Sequence, residues 1–310
     1  MIKTVVKRLL WAIPVMWLIL TLTFFLLRLA PGGPFDVERS LSPEIQAQIA
    51  AQYRLDLPLY QQYFDYLTDV LQGDLGPSFQ YQDFTVNQLL TSGLPVSMTL
   101  GLWALLLALL CGVSLGVVAA VNHKRWPDGA SMLLAVLGIS VPNYVIGPLL
   151  ILWLAVSWQW LPAGGWQGGD WRHMILPVVT LALPFIAYIA RLMRTSMLEV
   201  WQQPYIQVAF AKGLNIKQVL WRHALKPALL PVVSYLGPAA AALMTGSVVI
   251  EQLYGLPGLG RYFVQGALNR DYTLVMAVVL WVGLLTVLFN LIVDLLYGWL
   301  NPAINKDAST

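Results

Sequence analysis

The sequence predicts an all-α polytopic membrane protein with six transmembrane helices. Of its 310 residues, 58% are hydrophobic and only 11% are charged, which is far from the composition of an ordinary soluble domain. Six stretches reach the roughly 20 apolar residues that one crossing of a bilayer requires. Lys and Arg are concentrated in alternate connections between these stretches, as expected for a protein with a fixed orientation in the membrane.

The first predicted span, residues 9–29, follows a basic start that contains Lys3, Lys7 and Arg8. A signal peptide has a similar start, but the length of the span and the lack of a small-x-small cleavage site favour an uncleaved helix. The other predicted spans are residues 96–121, 130–156, 174–193, 228–250 and 274–296. In the second of these spans, Gly112 and Gly116 have the spacing of a close helix contact.

The distribution of cations predicts the orientation. If the N-terminus is cytoplasmic, all 7 Lys and 5 of the 11 Arg fall inside, so 12 of the 18 cations obey the positive-inside rule. Both termini are then cytoplasmic, and the net charge of +3 reflects topology in a lipid bilayer and not binding to nucleic acid. Cys111 is the one cysteine, so no disulfide framework is possible.

The predicted organisation has four parts. They are an N-terminal transmembrane helix (1–30), an external segment (31–95), a five-helix core with a cytoplasmic loop at about 195–227 (96–300), and a cytoplasmic tail (301–310). In the external segment, Ser42-Pro43-Glu44 is typical of a helix start. A second, aromatic helix from near Pro58 to Gly73 suits the headgroup region.

The third external loop contains Gly255, Pro257, Gly258 and Gly260, which predict a tight turn, and polar residues follow them. Two interpretations remain open. The loop is either an outer gate or docking surface for a soluble partner, or an ordinary loop whose charges face water. The candidate residues for the first interpretation are Arg261, Asn269, Arg270 and Asp271.

Prolines inside the spans predict kinked helices of the kind that line a path and change shape. The candidate lining residues are Ser140, Asn143, Thr245 and Ser247. Asp294 is expected to pair with Arg191 or Arg194, and the alternative is that it lies in water at the interface. A proton-driven carrier would need a carboxylate or histidine near mid-membrane, and a secondary carrier stays the alternative from another class. We expect no catalytic residues, because the three His are scattered at span ends, and no metal site, because no His/Cys cluster occurs.

The cytoplasmic loop between the fourth and fifth spans contains QVAFAKGLNIKQVLWRHALKPALLP, residues 207–231. It predicts a short helix over 206–212, a left-handed Gly213, and a second helix over 216–225 capped by Asn215. Pro227 opens the next span. From the residues alone, this basic amphipathic loop either lies on the anionic inner leaflet or forms a rigid knob for a soluble partner.

The loop resembles the cytoplasmic coupling loop, or EAA motif, of ABC importer permeases. Gln207-Val208-Ala209 takes the positions of Glu-Ala-Ala, and Gly213 takes that of the glycine. The segments RLAPGGPF, GDLGPSF, LPAGGW, RLMRTSMLEV, RHALKPALLP and GSVVIEQLYGLPGLGRYFVQGALNRDY are similar to the dipeptide/oligopeptide permease family, most of all to its first oligopeptide membrane subunit (OppB type). The resemblance assigns these residues to ATPase coupling: Gln207, Ala209, Phe210, Ala211, Lys212, Gly213, Leu214, His223, Lys226 and Pro227.

The resemblance implies the type I (MetI-like) permease fold and a multi-pass subunit of a bacterial inner-membrane importer. The implied partners are a second permease subunit (OppC type), two ATPases (OppD and OppF types), an external peptide-binding protein (OppA type) and the peptide. ATP and Mg would be bound by the ATPases, since this sequence has no GxxxxGK[ST] loop. The alternative substrates within the family are dipeptides, glutathione and nickel.

Overall fold

The computed structural model describes residues 2–30, 51, 53–81 and 83–300, and this part of the chain is almost entirely helical. The first half contains α1 (Ile2–Leu29), α2 (Leu59–Leu71), α3 (Val86–Val121), α4 (Trp126–Ser140) and α5 (Asn143–Leu150), with π-helical Ile151–Ser157 continuing α5. The second half contains α6 (Trp171–Trp201), α7 (Pro204–Ala211), α8 (Ile216–Val219), π-helical Leu220–Ala224, α9 (Leu225–Ala228), α10 (Leu230–Met244), α11 (Val248–Leu253), α12 (Leu259–Leu268) and α13 (Tyr272–Leu300).

Five stretches are long and apolar enough to cross a membrane: 5–29, 86–121, 171–201, 230–253 and 272–296. They confirm five of the six predicted spans. The predicted span 130–156 is different, because it consists of α4 and α5, which meet at an angle of 103°. Val141, which precedes Pro142, has extended backbone angles (φ −90°, ψ 118°) because proline excludes the helical conformation from the preceding residue.

The second span begins ten residues earlier than predicted. Thr85 and Gln88 form a capping box, in which each side chain accepts a hydrogen bond from the other residue's backbone N–H, and this fixes the start of α3 at Val86. Pro95 lies inside the helix without ending it. Residues 86–95 therefore belong to a transmembrane helix although the predicted external segment included them.

The core lies where α3 packs along α6, and small residues permit this approach. A Cβ added to Gly112 would lie 2.8 Å from Cβ of Ile189, and one added to Gly116 would lie 2.6 Å from the carbonyl oxygen of Ala190. The predicted close helix contact is confirmed. Nearer the predicted external end, Gly101 allows the same approach to α10, at 2.5 Å from the carbonyl oxygen of Leu243.

The predicted aromatic helix is confirmed as α2, and Gly73 behind it has a φ of +82°. It packs on α1 and on the start of α13 through an aromatic cluster that contains Phe24, Tyr63, Tyr66, Phe79 and Tyr272. The predicted helix start at Ser42-Pro43-Glu44 and the tail 301–310 lie outside the described residues.

The predicted ion pair of Asp294 is wrong in its partner. Asp294 on α13 pairs with Arg8 on α1, with 2.8 Å between Oδ2 and Nη2. Arg194 is occupied by Asp128 instead. The sequence spacing did not reveal this arrangement because it depends on α1 packing against α13.

Candidate functional site

The loop between α6 and α10 forms two short helices that meet at a glycine, as predicted. We call residues 204–227 the two-helix loop. Gly213 has a φ of +82°, and the backbone N–H groups of Gly213 and Leu214 donate to carbonyls of the last turn of α7, at Phe210 (2.9 Å) and Ala209 (3.3 Å). This is a glycine-terminated helix end, which needs the left-handed conformation that glycine adopts without strain.

The second helix of the loop begins at a capping box. The Asn215 side chain accepts a hydrogen bond from the Gln218 backbone N–H (2.9 Å), and the Gln218 side chain accepts one from the Asn215 backbone N–H (3.0 Å). The cap at Asn215 is therefore confirmed. The helix after it continues through π-helical Leu220–Ala224 toward α10, so the loop is joined rigidly to a transmembrane helix.

One side of the two-helix loop is buried against the membrane bundle, and the opposite side is exposed. Ile206 and Val219 are fully buried, and Ala209 is nearly so. The Phe210 ring stacks on Trp201 at the end of α6, with 5.8 Å between the ring centroids. Buried contacts at these positions hold both helices to the end of the membrane bundle, so the loop projects as one rigid body.

The exposed face of the loop combines apolar and basic side chains. Trp221 is 71% exposed and Val208 is 51% exposed, although both are large and apolar. Among the predicted coupling residues, the structure exposes Gln207, Phe210, Ala211, Lys212, Gly213 and Lys226, half-buries Leu214, His223 and Pro227, and buries Ala209. Exposed apolar area rimmed by polar residues is typical of a surface that binds a partner.

A charged cluster near the same end of the bundle was not found from the sequence. Asp128, which is 5% exposed, accepts two hydrogen bonds from Arg194, at 2.6 Å from Nε and 2.8 Å from Nη2. It also accepts one from the backbone N–H of Lys124 (3.0 Å), and Nδ1 of His123 lies 3.2 Å from it. The cluster ties the α3–α4 connection to α6.

The four predicted lining residues lie at two breaks in the helices. Ser140 and Asn143 flank the bend between α4 and α5, whereas Thr245 and Ser247 flank Gly246, whose φ is +89°. Ser140 is exposed, and the side-chain oxygen of Asn143 is buried without a hydrogen-bond partner. The Thr245 and Ser247 hydroxyls contact their own chain, since Thr245 donates to the Ala242 carbonyl and Ser247 accepts from the Ile250 backbone N–H, each at 3.4 Å.

These two breaks occur in elements that touch each other. A Cβ added to Gly147 on α5 would lie 2.2 Å from Cδ2 of Leu253 on α11. Tyr254 directly follows α11, and its hydroxyl hydrogen-bonds with the Thr180 hydroxyl of α6 at 2.8 Å. The structure therefore brings α5, α6 and α11 together beside the breaks, a type of site that irregular backbone often lines in transporters.

Glu251, like Asp128, is a buried acid that was not identified from the sequence. It is 1% exposed and accepts a hydrogen bond from the Ser97 hydroxyl (2.6 Å) and one from the Arg261 backbone N–H (3.0 Å). A Cβ added to Gly258 would lie 2.3 Å from its side chain, so that glycine lets the loop close around the carboxylate. The tight turn that Gly255, Pro257, Gly258 and Gly260 predicted therefore surrounds the buried Glu251 carboxylate.

The predicted outer surface requires one correction. Asp271 is fully buried and therefore is not part of a docking surface in this conformation. Its carboxylate accepts hydrogen bonds from the Ser78 hydroxyl, from the Thr273 hydroxyl (3.0 Å) and from the Leu274 backbone N–H (3.1 Å). Asp271 thus caps α13 and holds the predicted external segment against it.

The other predicted residues of that surface remain accessible. Asn269 is exposed, and Arg261 and Arg270 are half-buried. Arg270 has a φ of +56°, at the turn between α12 and α13. Near it the Tyr81 hydroxyl donates to the Gln265 side chain (2.6 Å), and burial raises the pKa of Tyr81.

Some of the missed groups had a signal in the sequence. Asp128 follows Pro127 in the first turn of α4, and acids in that position are stabilised by the helix dipole. Glu251 precedes a run of glycines, and such a run permits the backbone to approach a side chain closely. Neither signal identifies the partner, because Arg194 and Ser97 are distant in sequence.

Comparison with known proteins places the chain among membrane components of importers. Residues 112–306 match the family described as "Binding-protein-dependent transport system inner membrane component", and residues 1–101 match the N-terminal family of such components. The oligopeptide transport system permease protein OppB of Haemophilus influenzae is 50% identical over 98% of this chain and 99% of its own length. The OppB protein of Salmonella typhimurium is 52% identical over the same shares.

A more distant relative and a solved structure extend the comparison. The dipeptide transport system permease protein DppB of Bacillus subtilis is 42% identical over 98% of each chain. An inward-facing structure of the MetNI methionine ABC transporter aligns with a TM-score of 0.59 and 18% identity, covering 69% of this chain and 97% of that one. This likeness supports the predicted type I permease fold.

Proposed function

The chain belongs to the family of binding-protein-dependent transport system inner membrane components, and on this premise we propose that it is the permease subunit of an ATP-driven importer of oligopeptides. The relatives named for oligopeptides are about 50% identical, whereas the named dipeptide relative is 42% identical. This difference favours oligopeptides over dipeptides. The subunit would form half of the translocation path and would not hydrolyse ATP itself.

The observation that carries the coupling role is the two-helix loop. It combines an exposed apolar and basic face with a buried attachment to α6 and a rigid continuation into α10. Movement of an ATPase against such a body would be transmitted to the transmembrane helices. A helix that merely rested on lipid would not need this attachment.

The rest of the assembly follows from this role. An OppC-type permease subunit would complete the path, OppD- and OppF-type ATPases would bind ATP and Mg and grip the two-helix loop, and an OppA-type protein would deliver the peptide. Both termini would be cytoplasmic, so that the two-helix loop faces the ATPases and α2 lies on the external side. The residues at the helix breaks would then line the path, with Asn143 and Thr245 as the first candidates.

The test is Gly213→Val with Gly73→Val as its matched control. Both glycines have a φ of +82°, and an added Cβ would meet no atom within 4 Å at either position. Each substitution therefore carries the same backbone strain, about 1–2 kcal/mol per residue. Only Gly213 lies in the two-helix loop.

We expect both variants to insert in the membrane, and only Gly213→Val to lose peptide uptake and stimulation of ATPase activity by the loaded binding protein. Gly213→Asn should retain most of the activity, because asparagine tolerates the left-handed conformation. Peptide uptake, ATPase stimulation and co-purification of the ATPases are measured in all three. Normal coupling in a well-inserted Gly213→Val protein would falsify the coupling role.

A further inference from the structure

A cavity of about 230 Å³ lies at the C-terminal end of α1, between α1, α2 and the first residues of α13. Its wall carries five charged side chains: Arg28, Arg54, Asp65, Asp69 and Asp74. None of its lining residues belongs to the helix breaks or to the two-helix loop. Neither the coupling role nor the path accounts for it.

Two polar groups at this cavity have no hydrogen-bond partner within the described part of the chain. One is the Tyr66 hydroxyl, on a residue only 8% exposed, and the other is the buried Nη1 of Arg28. The Arg28 guanidinium is held in place, because its Nε donates to the Gln62 side chain (3.0 Å) and its Cζ lies 3.6 Å from the centroid of the Phe24 ring. Buried polar groups are normally paired, so these two need an explanation.

Both unpaired groups suit an anion. A guanidinium N–H is a donor with a fixed positive charge, and a phenol hydroxyl is a further donor. Arginine combined with a hydroxyl is typical of phosphate and carboxylate recognition. This corner of the cavity therefore favours an anionic oxygen.

The remaining charges favour a cation. Asp65 and Asp69 lie 3.9 and 3.8 Å from Nη1 of Arg54, which balances one of them, and Asp74 accepts only a backbone N–H from Gly76 (2.9 Å) among the bonds described. Three carboxylates thus face two guanidiniums. A purely anionic ligand would be repelled by this excess, whereas a zwitterion would satisfy both corners.

The position of the cavity indicates where the zwitterion comes from. Arg28 lies 20 residues after Arg8 on α1, which corresponds to about 30 Å along a helix and to the thickness of the hydrocarbon core. Tyr60 and Phe64 on α2 are 67% and 60% exposed, as expected for aromatic rings at the membrane interface. The cavity is therefore at the level of lipid headgroups.

We propose that this cavity binds the headgroup of a zwitterionic phospholipid with a primary ammonium, of the phosphatidylethanolamine type. The phosphate is held by Arg28 and Tyr66, and the ammonium is held by the excess of carboxylates around Asp74. A volume of about 230 Å³ accepts a headgroup and is smaller than the sites of about 300–1,000 Å³ that hold larger ligands. The lipid would fasten α2 to α1 and α13.

The test measures the thermal unfolding midpoint of the full chain in nanodiscs of phosphatidylcholine alone or with an equal share of phosphatidylethanolamine or phosphatidylglycerol. We expect phosphatidylethanolamine to raise the midpoint most, because its ammonium can donate hydrogen bonds. Tyr66→Phe should abolish this rise and weaken lipid retention in native mass spectrometry about tenfold. It should not lower the midpoint in phosphatidylcholine, since the hydroxyl has no partner to lose.

Two further variants sharpen the test. Arg28→Gln should also lose the rise, and Tyr60→Phe, which removes an exposed hydroxyl from the same helix, should keep it. An equal rise with phosphatidylethanolamine and with phosphatidylglycerol, or a rise that persists in Tyr66→Phe, would overturn the proposal. A rise produced in phosphatidylcholine discs by a soluble dipeptide would show that the occupant is not a lipid. If Arg28→Gln fails to insert, the nearly isosteric Tyr66→Phe still decides.

Discussion

The ion pair between Asp128 and Arg194 offers the sharpest test of how the predicted cytoplasmic end is held together. Arg194→Gln removes two charged hydrogen bonds to a carboxylate that is 5% exposed and leaves it with the Lys124 backbone N–H and His123. Removing one partner of a buried pair costs about 3–5 kcal/mol. The Arg194 side chain is 24% exposed, which places the expected loss near the lower value, at about 3 kcal/mol.

The assay is a double-mutant cycle measured by denaturant unfolding of the purified chain in detergent. Arg194→Gln and Asp128→Asn are made separately and together. Because each single change removes the same interaction, we expect the double variant to lose little more stability than either single one, which gives a coupling energy close to the single-variant loss of about 3 kcal/mol. Arg191→Gln, which changes an exposed cation on the same helix, should alter stability by less than about 0.5 kcal/mol.

Additive losses in the cycle would refute this reasoning, since they would mean that the two side chains do not stabilise each other. A loss for Arg191→Gln as large as that for Arg194→Gln would refute it as well, because the effect would then belong to the net charge of the helix. Peptide uptake measured on the same variants shows whether a loosened α3–α4 connection also disturbs coupling.

Three further predictions concern topology, packing and the path. In a cysteine-free background, a cysteine at Lys212 should react with membrane-impermeant reagents only from the inside, and labelling from outside would contradict the proposed orientation. Gly116→Ala should destabilise the chain by about 1–3 kcal/mol, because its Cβ would lie 2.6 Å from a carbonyl of α6. Gly129→Ala on α4 is the control, since its Cβ meets no atom within 4 Å and the change should be neutral or stabilising. Equal thermal unfolding midpoints for the two variants would refute the close packing. Substituting Asn143 or Thr245 should change the rate of transport more than peptide preference, and a large switch of preference in uptake competition would count against a weakly specific path.

Local patterns in the sequence were sufficient for much of the fold. Apolar runs located five of the spans, and the two-helix loop was predicted closely, including its left-handed glycine at Gly213 and the cap at Asn215. These features are encoded within a few residues, since a cap or a glycine turn acts on the hydrogen bonds of the adjacent helix end. The start of α3 was missed by ten residues because the predicted start relied on apolar character, whereas the capping box at Thr85 determines it.

The candidate site was predictable in parts only. The sequence identified which polar residues flank the helix breaks, and it did not show that Ser247 is used as a cap or that Asp271 is buried under Ser78. Asp271 and Ser78 are 193 positions apart. A polar residue in a loop has the same sequence pattern whether it faces water or a distant segment of the chain, so the exposure of Asp271 could not be inferred from that pattern.

Short-range patterns in the sequence were therefore enough to place this protein in a membrane and to predict its class and the local form of its two-helix loop, because hydrophobic length, charge bias and helix ends act over short distances. The partners of the buried charges could not be predicted in this way. Glu251 closes a glycine loop on Ser97, Asp128 holds Arg194, and Asp294 holds Arg8. A buried charge needs a specific partner at hydrogen-bonding distance, and which residue supplies it depends on how the helices pack.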